Sequence, residues 1–503
     1  MLTQYLPLFV VVPLAGAFLI PLLGRVSRYL ADVIGNLVGA FLVAFSVYGL
    51  ATLAQGGQPV IYSLGGWGPQ LGIVLVYDSL SALFVLIANL VGLPALLFST
   101  RYLDRFTGRW KYYTLFMLLL AGLNGVALAG DLFNLFVFLE ISAVSSYALV
   151  AFGTNEEELE AGFKYMVMGE IAGMMVLISI ALLYARTSTL NMAGMSQVLQ
   201  EIGQTPFVWF VLGTMLVGFA IKMALMPFHS WLPDAHLSAP APVSAVLSGV
   251  FVKVLGVYAM SRVVFNVFGL TRANAPTFFN LLVGLGLFSL VAASLLALNQ
   301  KNYKRLLAYS TISQIGYIVL GFGIGSYWAI VGALFHVLAH SVTKGLLFLA
   351  SRSIERETGS REIGAISGLE KSMPVTAWSY IAGALSLAGV PPFAGFFSKL
   401  FIIVGAVAAK LYWLAIIAAL FSVVTMGYLL KVINNVLFAH KDREPTKAKE
   451  APVAILVALV MLAVLALAFG LGFRPVLDKV IAPAAEVLTG GLEYALKVLG
   501  GRL

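Results

Sequence analysis

Apolar runs of roughly 20 residues, the length a helix needs to cross the hydrocarbon core of a bilayer, succeed one another along nearly the whole chain, separated by short polar or Gly/Pro-marked turns. About fourteen can be drawn on hydropathy, at residues 5–24, 32–54, 76–99, 112–130, 132–153, 162–185, 206–226, 241–263, 277–298, 305–324, 327–350, 374–408, 411–437 and 452–473. The pattern predicts an all-α, polytopic membrane protein of about fourteen transmembrane helices, with no stretch left for a separate soluble domain. The first run lacks a charged leader and a small-residue cleavage site, so it is read as a retained span. Two runs carry their own breaks. The twelfth is too long for one simple crossing and holds Gly389, Val390, Pro391 and Pro392 at its middle, where missing backbone donors should split it. The seventh is interrupted by Pro227 and Pro233 in its continuation through the WLPDAH stretch.

Composition agrees with the pattern. Of 503 residues, 60% are hydrophobic and 11% charged, where a soluble domain carries about 25% charged residues; the mean hydropathy is +0.97. Cysteine is absent, which excludes disulfides, thiolate zinc sites and cysteine-ligated iron–sulfur clusters from the chain. A redox cofactor would have to sit on another subunit or on histidine, and none is expected here. The net charge of +9 would suit nucleic acid in a soluble protein, but in a membrane protein an excess of Lys and Arg reports topology. With the N-terminus outside, the cytoplasmic loops hold Arg25, Arg28, Arg101, Arg105, Arg109, Lys111, Lys301, Lys304, Arg305, Arg352, Arg356, Arg361, Lys371, Lys441, Arg443, Lys447 and Lys449, whereas residues 55–77 hold no Lys or Arg. A multi-pass protein of the cell membrane with both termini outside is expected. Two cytoplasmic segments dissent: residues 155–160 are acidic, and the surroundings of Asp234 are nearly without basic residues. A partner contact, a water channel and a plain exposed turn all fit them.

Against this background the informative residues are those that should not be in a membrane. A charge at the bilayer centre costs about 2.5–3.5 kcal/mol on insertion scales, so each one asks for a partner or a function. Glu140 lies deep in DLFNLFVFLEISAVSSYALV, followed by Ser142, Ser145, Ser146 and Tyr147. A structural ion pair is the plain reading of it, and a site for proton exchange the sharper one. Lys222 sits four residues before the Met226-Pro227 break, and Lys253 is central in its span; for each, snorkelling to the headgroups is the alternative. His336, His340 and Lys344 recur at every fourth position and so share one stripe of one helix. That stripe suits a proton relay, because neutral imidazole both donates and accepts, although core hydrogen bonding or a metal or haem would also fit. Lys399 follows the Pro392 break, with snorkelling from a half-helix end as its alternative. Asp78, Glu170, Lys304 and Lys431 fall nearer the ends of spans and read as interface anchors, while His229 and His236 read as loop residues.

Five blocks carrying these residues resemble, in order, the antiporter-like subunits shared by complex I, Mrp-type cation/proton antiporters and membrane-bound hydrogenases. They are DLFNLFVFLEISAVSSYALVAFGTNEEELEAGFKYMVMG, GFAIKMALMPFHSWLPDAHLSAPAPVSAVLSGVFVKVLGVY, YKRLLAYSTISQIGY, HVLAHSVTKGLLFLA and LAGVPPFAGFFSKLFI, and the likeness runs from about residue 75 to residue 435. The resemblance implies two inverted five-helix repeats, each with a Pro-broken helix. The chain would divide into a three-helix segment at 1–110, repeats at 111–263 and 277–437, and a C-terminal helix and tail at 452–503. It further implies a proton path through Glu140, Lys222, Lys253, His336, His340, Lys344 and Lys399. The partners implied are the other membrane subunits of a complex, with protons and Na+ as candidate cargo, lipid around it and no nucleic acid. Because the chain ends at Leu503, the compact, Mrp D-like type without a long lateral helix is expected. A membrane redox subunit that itself binds quinone or haem is the competing reading, and a stand-alone solute carrier a third.

Overall fold

The computed structural model describes residues 2–24, 27–68, 72–105, 108–438 and 445–500. Arg25, Lys441 and Arg443, and the side chains of Arg28 and Arg105, counted above among the basic loop residues, lie outside that description. Helices dominate, as they must where no water is present to satisfy backbone polar groups. In order they are α1 (Leu8–Leu23), α2 (Arg28–Gly56), α3 (Ser79–Tyr102), α4 (Arg109–Leu128), α5 (Leu132–Val150), α6 (Glu156–Thr187), α7 (Met192–Ile202), α8 (Pro206–Lys222) and α9 (Trp231–Ser238). Then follow α10 (Ala241–Val267), α11 (Pro276–Leu298), α12 (Tyr303–Ile324), α13 (Tyr327–Thr358), α14 (Pro374–Ala388), α15 (Ala394–Ala408), α16 (Tyr412–Leu437), α17 (Val453–Leu471) and α18 (Ala482–Thr489). The expected loop at 55–77 contains an antiparallel hairpin, β1 (Val60–Ser63) paired with β2 (Val74–Tyr77).

Among the described residues, twelve helices are long and apolar enough to cross a bilayer. The expected seventh and twelfth spans are not among them because each is split, leaving the shorter apolar helices α8 and α15. At the first break the helix stops at Lys222, not at Met226. Ala224 takes a left-handed conformation (φ +54°), which an L-residue does not adopt inside a helix, so Lys222 stands at the break itself. The Trp231 indole then donates to the Ile221 carbonyl at 3.0 Å, and the Ser289 hydroxyl of α11 accepts from the Met226 amide at 2.8 Å. At the second break α14 ends on Gly389 (φ +85°), a conformation natural to glycine.

The two segments that dissented from the basic-loop pattern prove to be helical. Residues 156–160 form the first turn of α6, where Asn155 and Glu158 make a reciprocal capping box; acidic side chains there complement the positive end of the helix. Asp234 lies on α9 and meets Lys164 at 3.4 Å. Arg352 and Arg356, expected in a loop, ride the last turns of α13.

At the centre lies α13, buried along its membrane window as α10 is, and packed against α3, α10, α12, α14, α15 and α17. The outer helices α2, α6, α11 and α16 turn Leu37, Phe163, Leu281 and Ile416 outward, exposed, as a lipid-facing surface requires. Within α10, Leu247–Tyr258 is wound as a π-helix, a rare arrangement frequent at functional sites. Gly256 lets this helix touch the first break, since a Cβ there would lie 2.3 Å from Cβ of Met223.

Candidate functional site

Glu140 and Lys222 meet. The Lys222 ammonium, on the last residue of α8, donates to Glu140 Oε1 of α5 at 3.2 Å and to the Tyr147 hydroxyl at 3.4 Å. The lysine side chain is 1% exposed and the carboxylate 20%, so the pair opens on the glutamate's side. Gly173 of α6 makes the room, because a Cβ there would stand 2.4 Å from Glu140 Oε1. Glu170, read above as an interface anchor, lies three residues earlier in the interior of α6 and acts electrostatically on both Glu140 and Lys222.

Inward from the pair stand aromatic and hydroxyl groups. Tyr147 packs edge-on against Tyr165 at 4.6 Å, the Tyr165 hydroxyl lies 2.8 Å from Ser146 Oγ, and Tyr165 stacks on Trp231 at 4.3 Å and meets Phe251 of α10 at 6.1 Å. Two residues past Phe251 is Lys253, fully buried, its ammonium donating to the Ser248 carbonyl of its own helix. The Ser248 hydroxyl meets Thr311 of α12 at 2.7 Å. Lys344 of α13, also fully buried, donates to the Leu307 carbonyl at 2.8 Å and to the Ser310 hydroxyl, both on α12. It is an electrostatic neighbour of Lys253.

His336 and His340 share one stripe with Lys344, their rings 5.7 Å apart and nearly parallel. His340 is the middle of the stripe, four residues from His336 and four from Lys344 on α13. His336 Nδ1 lies 2.9 Å from the Ser398 hydroxyl, next in sequence to Lys399. The Lys399 ammonium donates to the Leu387 carbonyl at 2.9 Å, to the Ala388 carbonyl at 3.2 Å and to Ser422 Oγ at 3.3 Å, and sits 5.0 Å over the Tyr317 ring. Those carbonyls belong to the last turn of α14, left without helical partners by the break. Lys399 is 3% exposed, which rules out snorkelling.

Two other charged clusters and one buried histidine correct the readings above or escaped them. Asp78 caps α3 through the Ser81 amide at 2.9 Å and is buried against Arg262 of α10, with guanidinium–carboxylate contacts of 2.8 Å to both oxygens. Arg262 falls at the very end of the expected 241–263 span and was therefore passed over. Lys304, 1% exposed, pairs with Glu355 at 3.4 Å, and Arg352 and Arg361 close on the same carboxylate. His236 is fully buried on α9 and is no loop residue. Its signal was the spacing of WLPDAHLS, which places it one turn past Leu232. Among the described residues no three His, Asp or Glu side chains gather as metal ligands would.

Buried lysines and histidines in the packed interior of a mostly helical, multi-pass chain fit an antiporter-like membrane protein. The chain belongs to the NADH:quinone oxidoreductase/Mrp antiporter transmembrane family, whose profile matches residues 129–425. It is 35% identical to NADH-quinone oxidoreductase subunit N of Desulforudis audaxviator over 95% of this chain and 98% of that one. To the D subunit of the Na+/H+ antiporter of Alkalihalophilus pseudofirmus it is 32% identical over 94% of this chain and 95% of the relative. Its fold matches a chain of the membrane-bound sulfane sulfur reductase, an archaeal respiratory membrane complex, with a TM-score of 0.91 and 33% identity, covering 99% of this chain and all of the other.

Proposed function

We propose that this chain moves protons across the cell membrane as one subunit of a multisubunit complex, along Glu140, Lys222, Lys253, Lys344, His340, His336 and Lys399, with Na+ as the exchanged cation where the complex works as an antiporter. The observation that carries the reading is the company the buried lysines keep. Lys222 faces a carboxylate, while Lys253, Lys344 and Lys399 are held by carbonyl and hydroxyl oxygens. Neighbouring ammonium groups with so little countercharge repel one another strongly in a poorly screened interior. A proton arriving on one therefore favours departure from the next.

In this mechanism the Glu140 carboxylate holds the proton on Lys222. Charge movement in a neighbouring subunit, acting on the half-open glutamate, weakens the pair and sends the proton past Tyr147 and Tyr165 toward Lys253. Lys344, His340 and His336 then hand it to Lys399, where the open carbonyls of Leu387 and Ala388 receive the ammonium. The repeats at 111–263 and 277–437 each contribute one break and its lysine. The test is proton movement into liposomes holding the whole complex with Lys253→Met, which preserves bulk and removes the amine. A loss of about tenfold or more is expected for a missing proton carrier, and an unaltered rate overturns the reading.

The same proposal places Lys301, Lys304, Arg352 and Arg361 on the cytoplasmic face and both termini outside. It is supported by the C-terminal tail, whose Val487 and Gly491 carbonyls accept from Asn266 and whose Glu493 and Tyr494 line a cavity with Gly57 and Asp78, at the opposite end. The native chain has no cysteine, so single cysteines can be read cleanly. One placed at Glu362 should react with membrane-impermeant maleimide only from the cytoplasm and one at Gly57 only from outside; the reverse labelling contradicts this orientation.

A further inference from the structure

We infer that α17 is a splint across the second broken helix, and that Gly470 at its end and Phe473 just beyond it are positioning residues that hold Lys399 against the carbonyls it donates to. The inference deepens the proton-moving reading above and rests on it. Between Val453 and Leu471 this helix has no ionisable side chain, so it moves no proton itself. It packs on α3, α13, α14 and α15, and so on both halves of the break. Just before it, Glu450 accepts from the Thr376 hydroxyl at 2.7 Å and from the Val375 amide at 2.8 Å, in the first turn of α14, where amides lack helical partners. At its other end Gly470 brings backbone against backbone. A Cβ there would overlap the Pro392 carbonyl oxygen and stand 2.7 Å from the amide nitrogen of Ala394, the first residue of α15. The Phe473 ring then stacks on Phe397 of α15, with centroids 4.0 Å and planes 7° apart.

Lys399 depends on that seating. It lies two residues past Phe397 on α15, yet its acceptors, the Leu387 and Ala388 carbonyls, belong to α14, so its hydrogen bonds cross the break. Pro391 and Pro392, in the short link between the two halves, are exposed, and the contacts of α17 supply a brace that the link itself lacks. Hydrogen bonds weaken steeply once their geometry is lost, and a charged group deprived of its acceptors holds its proton less firmly. A shift of α15 against α14 therefore acts on Lys399 first. The Glu140–Lys222 pair, on α5 and α8, lies off the helices that α17 mainly packs on.

The experiment follows the pH profile of proton movement by the whole complex in liposomes, with rates scaled to assembled complex. The variants are Gly470→Val, Phe473→Leu and Phe473→Tyr, beside Lys399→Ala and Val464→Ala on the exposed side of α17. Valine at 470 wedges the break and leucine at 473 removes the stack, whereas tyrosine keeps it. Gly470→Val is expected to lose about tenfold or more in rate, with the half-maximal rate moved by about one pH unit toward acid. Phe473→Leu moves both the same way by less, and Phe473→Tyr and Val464→Ala move neither. A helix that only fills space predicts a lower yield or melting temperature with rate and pH profile unaltered, and that result overturns the inference. Should Gly470→Val prevent assembly, Phe473→Leu against Phe473→Tyr decides it. If Lys399→Ala stops movement while the Gly470 and Phe473 variants leave rate and profile alone, only the splint fails. If Lys399→Ala is silent as well, the proton-moving reading fails with it.

Discussion

Lys222→Ala is expected to cut proton movement by the assembled complex by about 10²-fold or more, within the range for removing a positioned proton carrier. Two effects act together. The carrier is lost, and Glu140, whose partner stood at 3.2 Å, is left as a carboxylate without its cation in a membrane interior, which breaking a buried pair makes expensive, at about 3–5 kcal/mol. Lys222→Arg separates the two. A guanidinium restores the pair with Glu140 but stays protonated throughout, so this variant should assemble like the unaltered protein and still fail to move protons. The readout is the initial rate of a pH-sensitive dye trapped in liposomes, with subunit yield measured alongside. Lys222→Arg at the unaltered rate would mean that Lys222 acts only as a fixed charge.

The second large effect is structural. Arg262→Met strands Asp78, which is 5% exposed and takes guanidinium contacts of 2.8 Å at both oxygens, and should destabilise the fold by about 3–5 kcal/mol. The damage spreads to the tail, because Tyr494 lies 4.8 Å over the Arg262 guanidinium and Asn266, one turn on, holds the Val487 and Gly491 carbonyls. Adding Asp78→Asn removes the stranded charge and keeps a good helix cap on α3, so the double variant should be more stable than Arg262→Met alone. Thermal unfolding of the detergent-solubilised protein decides it, and a double variant no better than the single would show that charge pairing is not what holds this end together.

Much of this was legible before any coordinates, for a physical reason. In a chain this apolar a charge within a span is the rare signal, and Glu140, Lys222, Lys253, the His336–His340–Lys344 stripe and Lys399 all stood out by cost alone. Lys222, Lys253, His336, His340, Lys344 and Lys399 prove to be buried, and Glu140, 20% exposed, pairs with the first of them. What periodicity could not supply was depth near helix ends. Lipid and protein interior have similar polarity, so a buried face and a lipid-facing face look alike in sequence. Asp78, Lys304 and Arg262 were therefore misjudged or missed, and Glu170 with them.

Breaks misled in a related way. Pro227 advertises the interruption of the seventh span, yet the helix stops at Lys222 because of the left-handed turn at Ala224, which nothing in an alanine announces. The acidic residues 156–160 looked like an exception to the basic-loop pattern until their helix cap supplied the explanation. His236 was hidden by two prolines on its N-terminal side and two on its C-terminal side, which together read as loop.

The most direct test of a single connected path is proton movement by the whole complex carrying Lys222→Ala, Lys399→Ala, or both. Links in series make either loss nearly complete and the double variant no worse than the more damaging single one. Substantial residual rates that fall independently, each variant multiplying the other's effect, would contradict the account and leave two separate routes in its place.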